Sequence, residues 1–162
     1  RYIIQIVPTY FYQSYIPHVT ILNSEQRYSD YFRRYFQVSK MLFLISLFLI
    51  PLLLLLGKTL LSFFNKSYID SYDVFALSVF IIPLLLFSTL FKLNMMIREH
   101  QVSMLYMTII SSVLFLLCFY FFAEFCKNIL EAFFYAQAVQ FLIQLIYSFS
   151  IFVKDKNYCL SI

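Results

Sequence analysis

The sequence predicts an all-α integral membrane protein with about five transmembrane helices. The 12 Lys and Arg residues and the 8 Asp and Glu residues all lie at the edges of five uncharged windows. Each window holds 17 to 23 residues, and about 20 helical residues cross a hydrocarbon core about 30 Å thick. The windows are 2–24, 41–57, 74–91, 101–123 and 132–153.

Composition supports the same class. Charged residues make up 12% of the chain and hydrophobic residues 62%, whereas soluble domains are about 25% charged. The chain contains one glycine, which argues against a β-barrel and excludes Gly-rich phosphate loops. Because the bilayer core holds no water, backbone N–H and C=O groups must pair within each segment, and the windows should therefore be helices.

The first window predicts a transmembrane helix over about 2–17 that ends at Pro17, and Asn23 is the predicted N-cap of the next helix. Aromatic residues then recur with a helical period, and charged residues fill much of the opposite side: Tyr28, Tyr31, Phe32, Tyr35 and Phe36 face Arg27, Asp30, Arg33 and Arg34. The pattern predicts an amphipathic helix at the membrane interface over about 24–37. An extension of the following transmembrane helix explains the same pattern.

The remaining windows predict four further transmembrane helices, over about 38–62, 72–95, 101–123 and 129–153. Pro51 and Pro83 fall inside two of them, and each should kink its helix by removing one hydrogen bond. The connections are too short to hold a soluble domain. We therefore expect a single membrane domain over 1–162.

The distribution of Lys and Arg predicts the orientation, because cytoplasmic connections carry an excess of these residues. If the helices alternate in direction, eight basic residues lie on one side: Arg27, Arg33, Arg34, Lys40, Lys92, Arg98, Lys154 and Lys156. The other four lie opposite: Arg1, Lys58, Lys66 and Lys127. The side with eight is predicted to be cytoplasmic, and it includes the C-terminus.

No catalytic constellation is visible. No carboxylate lies inside a window, so no acid–base pair is available at membrane depth, and we expect neither an enzyme nor a cofactor. His18 and His100 fall in predicted cytoplasmic connections without a Cys or His at ligand spacing, and we interpret them as solvated or capping residues. The three cysteines also lack metal-ligand spacing, so we expect no metal site and no disulfide framework.

Two stripes of polar side chains lie inside windows. The first falls at steps of four residues: Arg1, Gln5, Thr9 and Gln13. Such side chains face protein or a water-filled cavity rather than lipid, and we expect this stripe to line a substrate cavity in which Arg1 can bind phosphate. The second stripe consists of Gln137, Gln140 and Gln144. Small residues nearby, such as Ala132 and Ala136, favour helix packing as its role.

Several short motifs follow one another in a distinctive order along the chain. One helix ends in Ile16-Pro17, a basic-aromatic segment follows over 31–36, the next span carries Ile-Pro-Leu-Leu at 50–53, and the segment 60–68 precedes a new span. Over residues 10–153 this order resembles the polysaccharide-export branch of the multidrug/oligosaccharidyl-lipid/polysaccharide transporter superfamily, the O-antigen flippase type.

The match to the family pattern is incomplete. Tyr68 matches the tyrosine of a family signature, whereas Asn65 stands near its glycine, and Leu130-Glu131-Ala132 stands where the family has Gly-Ala-Ala. The resemblance implies a protein of about twelve helices in two six-helix bundles around a central cavity. Because the chain starts with Arg1, we expect it to be a fragment that forms most of the C-terminal bundle.

The resemblance also implies a function. Such proteins flip an undecaprenyl-pyrophosphate-linked oligosaccharide, the O-antigen repeat unit of lipopolysaccharide, from the cytoplasmic to the periplasmic leaflet of the bacterial inner membrane by alternating access. The expected partners are this lipid-linked sugar, membrane lipid and other O-antigen assembly proteins, and no nucleic acid is expected.

Two alternatives remain at the level of the sequence. A membrane O-antigen polymerase would need a large extracytoplasmic loop with arginines, and the outer connections are short. A structural subunit of an organellar respiratory complex would share the Phe- and Tyr-rich, Gly-poor composition. The amphipathic segment and the basic inner connections favour the transporter.

Overall fold

The computed structural model describes residues 15–64, 69, 71–126 and 128–161. Helix α1 is described over 15–24, and four helices follow: α2 (Tyr28–Phe64), α3 (Tyr72–Ile97), α4 (Gln101–Phe125) and α5 (Ile129–Leu160). The described residues contain no strand. Helices α2 to α5 are each long and apolar enough to cross a membrane. The chain is an all-α, multi-pass membrane protein, and this predicted class is confirmed.

Helices α3, α4 and α5 begin at Tyr72, Gln101 and Ile129, where the spans over about 72–95, 101–123 and 129–153 were expected to begin. Their ends lie further along the chain, most of all for α5, which continues to Leu160 rather than ending near residue 153. The expected span over 2–17 falls mostly outside the described residues. The described part of α1 continues past Pro17 to residue 24, so this helix does not end at the proline.

The amphipathic segment and the second span form one continuous helix, α2, of 37 residues. The prediction of a separate interfacial helix over 24–37 is therefore wrong. The alternative prediction, that this segment extends the following transmembrane helix, agrees with the structure. Asn23 is not an N-cap, because it lies in the last turn of α1 and α2 begins at Tyr28.

Two chain reversals use a left-handed residue that is not glycine. Gln26 (φ 57°) follows α1, and Glu99 (φ 59°) follows α3. At the second reversal, the N–H of His100 donates to the carbonyl of Met95 at 2.8 Å, which is a Schellman motif. At the first, the N–H of Arg27 donates to the carbonyl of Leu22 at 3.0 Å in the same pattern. These reversals fix the directions in which the chain leaves α1 and α3.

The starts of α2 and α4 meet the ends of α3 and α5 at what we call the basic end of the bundle. An aromatic core lies there, made by Tyr31, Phe32, Tyr35, Phe91 and Phe152. The ring of Phe152 in α5 lies 5.3 Å from that of Phe32 and 5.2 Å from that of Phe91. Helix α3 packs against α2, α4 and α5. Tyr31, Phe32 and Tyr35 of α2 thus join this helix to α3 and α5.

Large apolar side chains cover the outer faces of α2 and α4. Phe48 and Leu55 in α2 and Tyr120 in α4 are exposed by 75%, 80% and 72%. Exposure of this extent along whole helices is unfavourable in water, whereas a hydrocarbon solvent accommodates it.

Candidate functional site

A lysine reaches into the space between three transmembrane helices. Lys92 lies in α3, and its Nζ donates to Gln144 Oε1 in α5 at 2.5 Å. Gln144 Nε2 in turn donates to Ser111 Oγ in α4 at 2.8 Å. Gln144 is 4% exposed and Ser111 is fully buried. We call these three residues the Lys92 site.

The Lys92 site lies deep in the bundle. Ser111 is ten residues from Gln101 at the start of α4, which is about 15 Å along the helix and about half of a 30 Å hydrocarbon core. Lys92 itself is five residues from the end of α3. Helical side chains lean toward the N-terminus of their helix, which for α3 points away from the basic end. The Lys92 ammonium group therefore reaches further into the membrane than its backbone.

A second polar cluster lies at the basic end around Asp155. Its carboxylate accepts a hydrogen bond from Asn94 Nδ2 at 3.1 Å, and His100 Nε2 lies 2.9 Å from its Oδ1. Asn94 Oδ1 accepts from the Tyr31 hydroxyl at 2.7 Å. Asn94 and Tyr31 are fully buried, and Asp155 is 9% exposed. The cluster joins α2, α3, α5 and the α3–α4 connection.

Arg98 extends this cluster to α1. Its guanidinium donates to Asn23 Oδ1 at 2.9 Å and to Cys159 Sγ at 2.7 Å, and its Nε lies 4.0 Å from Asp155 Oδ2. Burial lowers the pKa of Arg98, but the acidic groups of Cys159, Tyr28 and Asp155 raise it above the ordinary value. The guanidinium also lies 5.2 Å from the centre of the Tyr28 ring.

We call the resulting set the Asp155 network; it consists of Asn23, Tyr31, Asn94, Arg98, His100, Asp155 and Cys159. A buried charge is costly unless it is paired and hydrogen-bonded. In this network the single carboxylate contacts one amide, one imidazole and one guanidinium. The network draws on α1, α2, α5 and the segment from the end of α3 into the α3–α4 connection, so it fixes how the helices meet at the basic end.

The predicted glutamine stripe separates in the structure. Gln144 belongs to the Lys92 site, and it bonds to both α3 and α4. Gln137 and Gln140 are half-buried, and neither side chain forms a hydrogen bond with another described residue. Ala132 and Ala136 are fully buried, which permits the close helix approach expected for small residues.

The predicted cavity stripe of Arg1, Gln5, Thr9 and Gln13 lies outside the described residues. His100 occupies the N-cap position of α4, as the capping interpretation expects, but its ring makes no cap hydrogen bond and contacts Asp155 instead. His18 is exposed on α1.

Sequence reasoning missed Asp155 and Lys92. Asp155 follows the last uncharged window, and Lys92 enters the sequence analysis only as one of the eight basic residues of the predicted cytoplasmic side. A signal for Asp155 was present: Gln144, Ser148, Asp155 and Cys159 are spaced by 4, 7 and 4 residues, which places them on one face of a continuous helix.

The two clusters give the chain a chemistry that apolar helices lack. The Lys92 site offers a cation and two neutral hydrogen-bonding groups at membrane depth, and the Asp155 network joins one carboxylate to basic partners at the basic end. Comparison with protein-family models, with curated proteins and with solved structures finds no match to this chain.

Proposed function

We propose that this chain is part of a flippase of the polysaccharide-export type. Its cargo is an undecaprenyl-pyrophosphate-linked oligosaccharide, which it moves across the bacterial inner membrane by alternating access. The proposal places the basic end and the C-terminus in the cytoplasm, because Lys and Arg are enriched on that side. The order of sequence motifs over residues 10–153 supports this function.

The observation that carries the proposal is the Lys92 site. A charged side chain at the centre of a transmembrane helix costs about 2.5–3.5 kcal/mol on insertion scales, and charged residues within such helices mark the paths of ions and polar substrates. A subunit with a purely structural role needs no cation at this depth. The hydrogen bonds from Lys92 to Gln144 and from Gln144 to Ser111 hold the cation between three helices.

The chemistry of the cargo fits a cation in this position. A sugar headgroup cannot cross hydrocarbon alone, because moving each hydroxyl from water into an apolar medium without a hydrogen-bond partner costs roughly 2–7 kcal/mol. A pyrophosphate adds negative charge, and a lysine ammonium is a common phosphate ligand. During transport, the phosphate oxygens replace Gln144 as acceptors for Lys92. The proposed cavity residues Arg1, Gln5, Thr9 and Gln13 supply further polar contacts.

Genetic complementation tests the proposal. The full-length protein is expressed in a bacterium that lacks its own O-antigen flippase, and surface polysaccharide is measured on gels. We expect the wild type to restore the polysaccharide. The variant Lys92→Met should insert into the membrane at normal levels but fail to restore it, because the cation is lost while the length of the side chain is kept.

The matched control is Lys40→Met, which removes an exposed lysine of α2 outside the Lys92 site. This variant should behave as the wild type does. A wild-type protein that inserts and does not restore the polysaccharide contradicts the flippase, and normal polysaccharide with Lys92→Met removes the role of the Lys92 site.

A further inference from the structure

A groove of about 820 Å³ lies between α1 and the first turns of α2. Three arginines of the basic end line it: Arg27, Arg33 and Arg34. The groove is separate from both the Lys92 site and the Asp155 network, since it shares none of their residues.

The arginines of the groove differ in how they are paired. Arg27 forms ion pairs with Asp30 at 2.7 Å and with Glu25 at 3.5 Å, and both carboxylates also line the groove. Arg33 and Arg34 are exposed, and neither forms an ion pair with another described residue. Glu25 and Asp30 are thus paired with Arg27. The guanidinium groups of Arg33 and Arg34 remain available to an anionic ligand.

The lining changes from charged to apolar along α2. After Arg33 and Arg34 come Gln37, Val38 and Met41, which also face the groove. Seven residues separate Arg34 from Met41, which corresponds to about 10 Å along the helix. This sequence of groups matches a ligand with an anionic head and an apolar tail better than it matches a free anion.

The position of the groove favours a lipid. Helix α2 has 37 residues and is therefore about 55 Å long, whereas a bilayer with its headgroup regions is about 40–45 Å thick. The start of α2 consequently lies at or beyond headgroup level, and Met41 lies where the uncharged window of α2 begins. The groove opens at the depth where phosphate groups and acyl chains meet.

We propose that this groove binds the phosphate headgroup of an anionic membrane phospholipid. Arg33 and Arg34 donate to the phosphate oxygens, since the planar guanidinium fork fits that geometry. The acyl chains follow Val38 and Met41 toward the membrane core. The binding is independent of the transported cargo, so it stands whether or not the protein is a flippase.

Calorimetric titration of the purified full-length protein in a neutral detergent tests the proposal. The ligand is dihexanoyl-phosphatidylglycerol, and dihexanoyl-phosphatidylcholine and inorganic phosphate are titrated in parallel. We expect saturable binding of the phosphatidylglycerol alone. The double variant Arg33→Gln/Arg34→Gln should bind it at least about tenfold more weakly, because two charge-assisted hydrogen bonds are lost.

The matched control is Lys40→Gln/Lys154→Gln, which removes two exposed positive charges of the basic end outside the groove. It should keep wild-type affinity, and Arg33→Lys/Arg34→Lys should bind with intermediate affinity because charge remains without the fork. Equal weakening in the control and the Gln variant would show a diffuse charge effect and overturn the site. Unchanged affinity in the Gln variant, or equal affinity for inorganic phosphate, would also overturn it.

Discussion

The two ends of the bundle are held together by different interactions. At the basic end, a buried carboxylate, a guanidinium and two amides connect α1, α2, α3 and α5. At the opposite end, α4 and α5 meet through aromatic rings, such as Phe122 and Tyr135 with centroids 5.7 Å apart. Helices α2 and α3 meet there at Gly57, where an added Cβ would lie 2.7 Å from the Phe75 ring.

The difference matters because a bilayer changes how much each kind of interaction contributes to the stability of the folded protein. Lipid tails are as apolar as Phe and Leu side chains, so the aromatic contacts gain only from close packing. The Asp155 network has no such substitute, since a partner that loses its bond stays buried without water. The basic end should therefore respond strongly to changes of chemistry, and the opposite end to changes of shape.

The largest expected effect is the loss of the Asp155 carboxylate. Asp155→Ala removes the acceptor of the Asn94 amide and the anionic partner of the Arg98 guanidinium, and breaking a buried ion pair typically costs about 3–5 kcal/mol. We expect the free energy of unfolding in mixed micelles, followed by circular dichroism, to fall by about that amount. The control Asp73→Ala removes an exposed carboxylate from the first turn of α3 at the opposite end. A loss no larger than in this control would contradict the network.

The opposite end should be most sensitive to added volume. Gly57→Leu places a side chain where the rings of Phe75 and Tyr72 already lie, and overpacking of this kind costs about 1–3 kcal/mol. We expect a value near the upper limit, because Tyr72 is also held by its hydrogen bond to the Leu54 carbonyl at 2.9 Å. The same unfolding assay measures the effect.

The control for the overpacking experiment is Thr59→Leu, which places the same side chain at an exposed position two residues away. Its free energy of unfolding should stay close to that of the wild type. Equal stability of Gly57→Leu and Thr59→Leu would mean that α2 and α3 are not in close contact at this end.

The positions of the helices were predictable from the sequence where charged residues mark the surfaces of the bilayer. Helices α3, α4 and α5 begin at residues 72, 101 and 129, within three residues of the starts of the uncharged windows at 74, 101 and 132. Their ends were not predictable in the same way, because a charge can be paired inside the protein. Asp155 lies just past the last uncharged window, which ends at residue 153, yet it is bonded to Asn94 and the helix continues to Leu160.

The candidate sites were less predictable than the fold. Gln144 stood out because a glutamine inside a span must find a polar partner, but nothing in the sequence names Lys92 and Ser111 as those partners. The bonds between them join residues 52 and 33 positions apart. Such pairs depend on how the helices pack, and the pattern within one helix does not contain that information.

A smaller effect distinguishes the two chemistries within the basic end itself. Tyr31→Phe keeps the ring in the aromatic core and removes the hydroxyl that donates to Asn94 Oδ1. Asn94 Oδ1 then loses its donor, while Asn94 Nδ2 keeps its bond to Asp155. A buried acceptor left unsatisfied costs about 1–3 kcal/mol, and we expect a loss of that size. Tyr120→Phe, at a ring that is 72% exposed, serves as the control in the same assay. Equal stability of both variants would assign the role of Tyr31 to packing alone.

The smallest expected effect has the opposite sign. Glu99 adopts φ 59° at the reversal after α3, a conformation that costs an ordinary residue roughly 1–2 kcal/mol and glycine very little. Glu99→Gly should therefore raise the free energy of unfolding, by about 0.5–1 kcal/mol after the added entropy of the unfolded glycine is subtracted. Thr108→Gly, at an exposed position inside α4, should instead lower the same quantity by about 0.5–1 kcal/mol. A loss of stability in both variants would mean that the Glu99 side chain supports the reversal. A gain at Glu99 alone would show that the turn is strained in the folded protein. Arg98 and His100, on either side of Glu99, both contact Asp155, so the Asp155 network anchors the two ends of this strained turn.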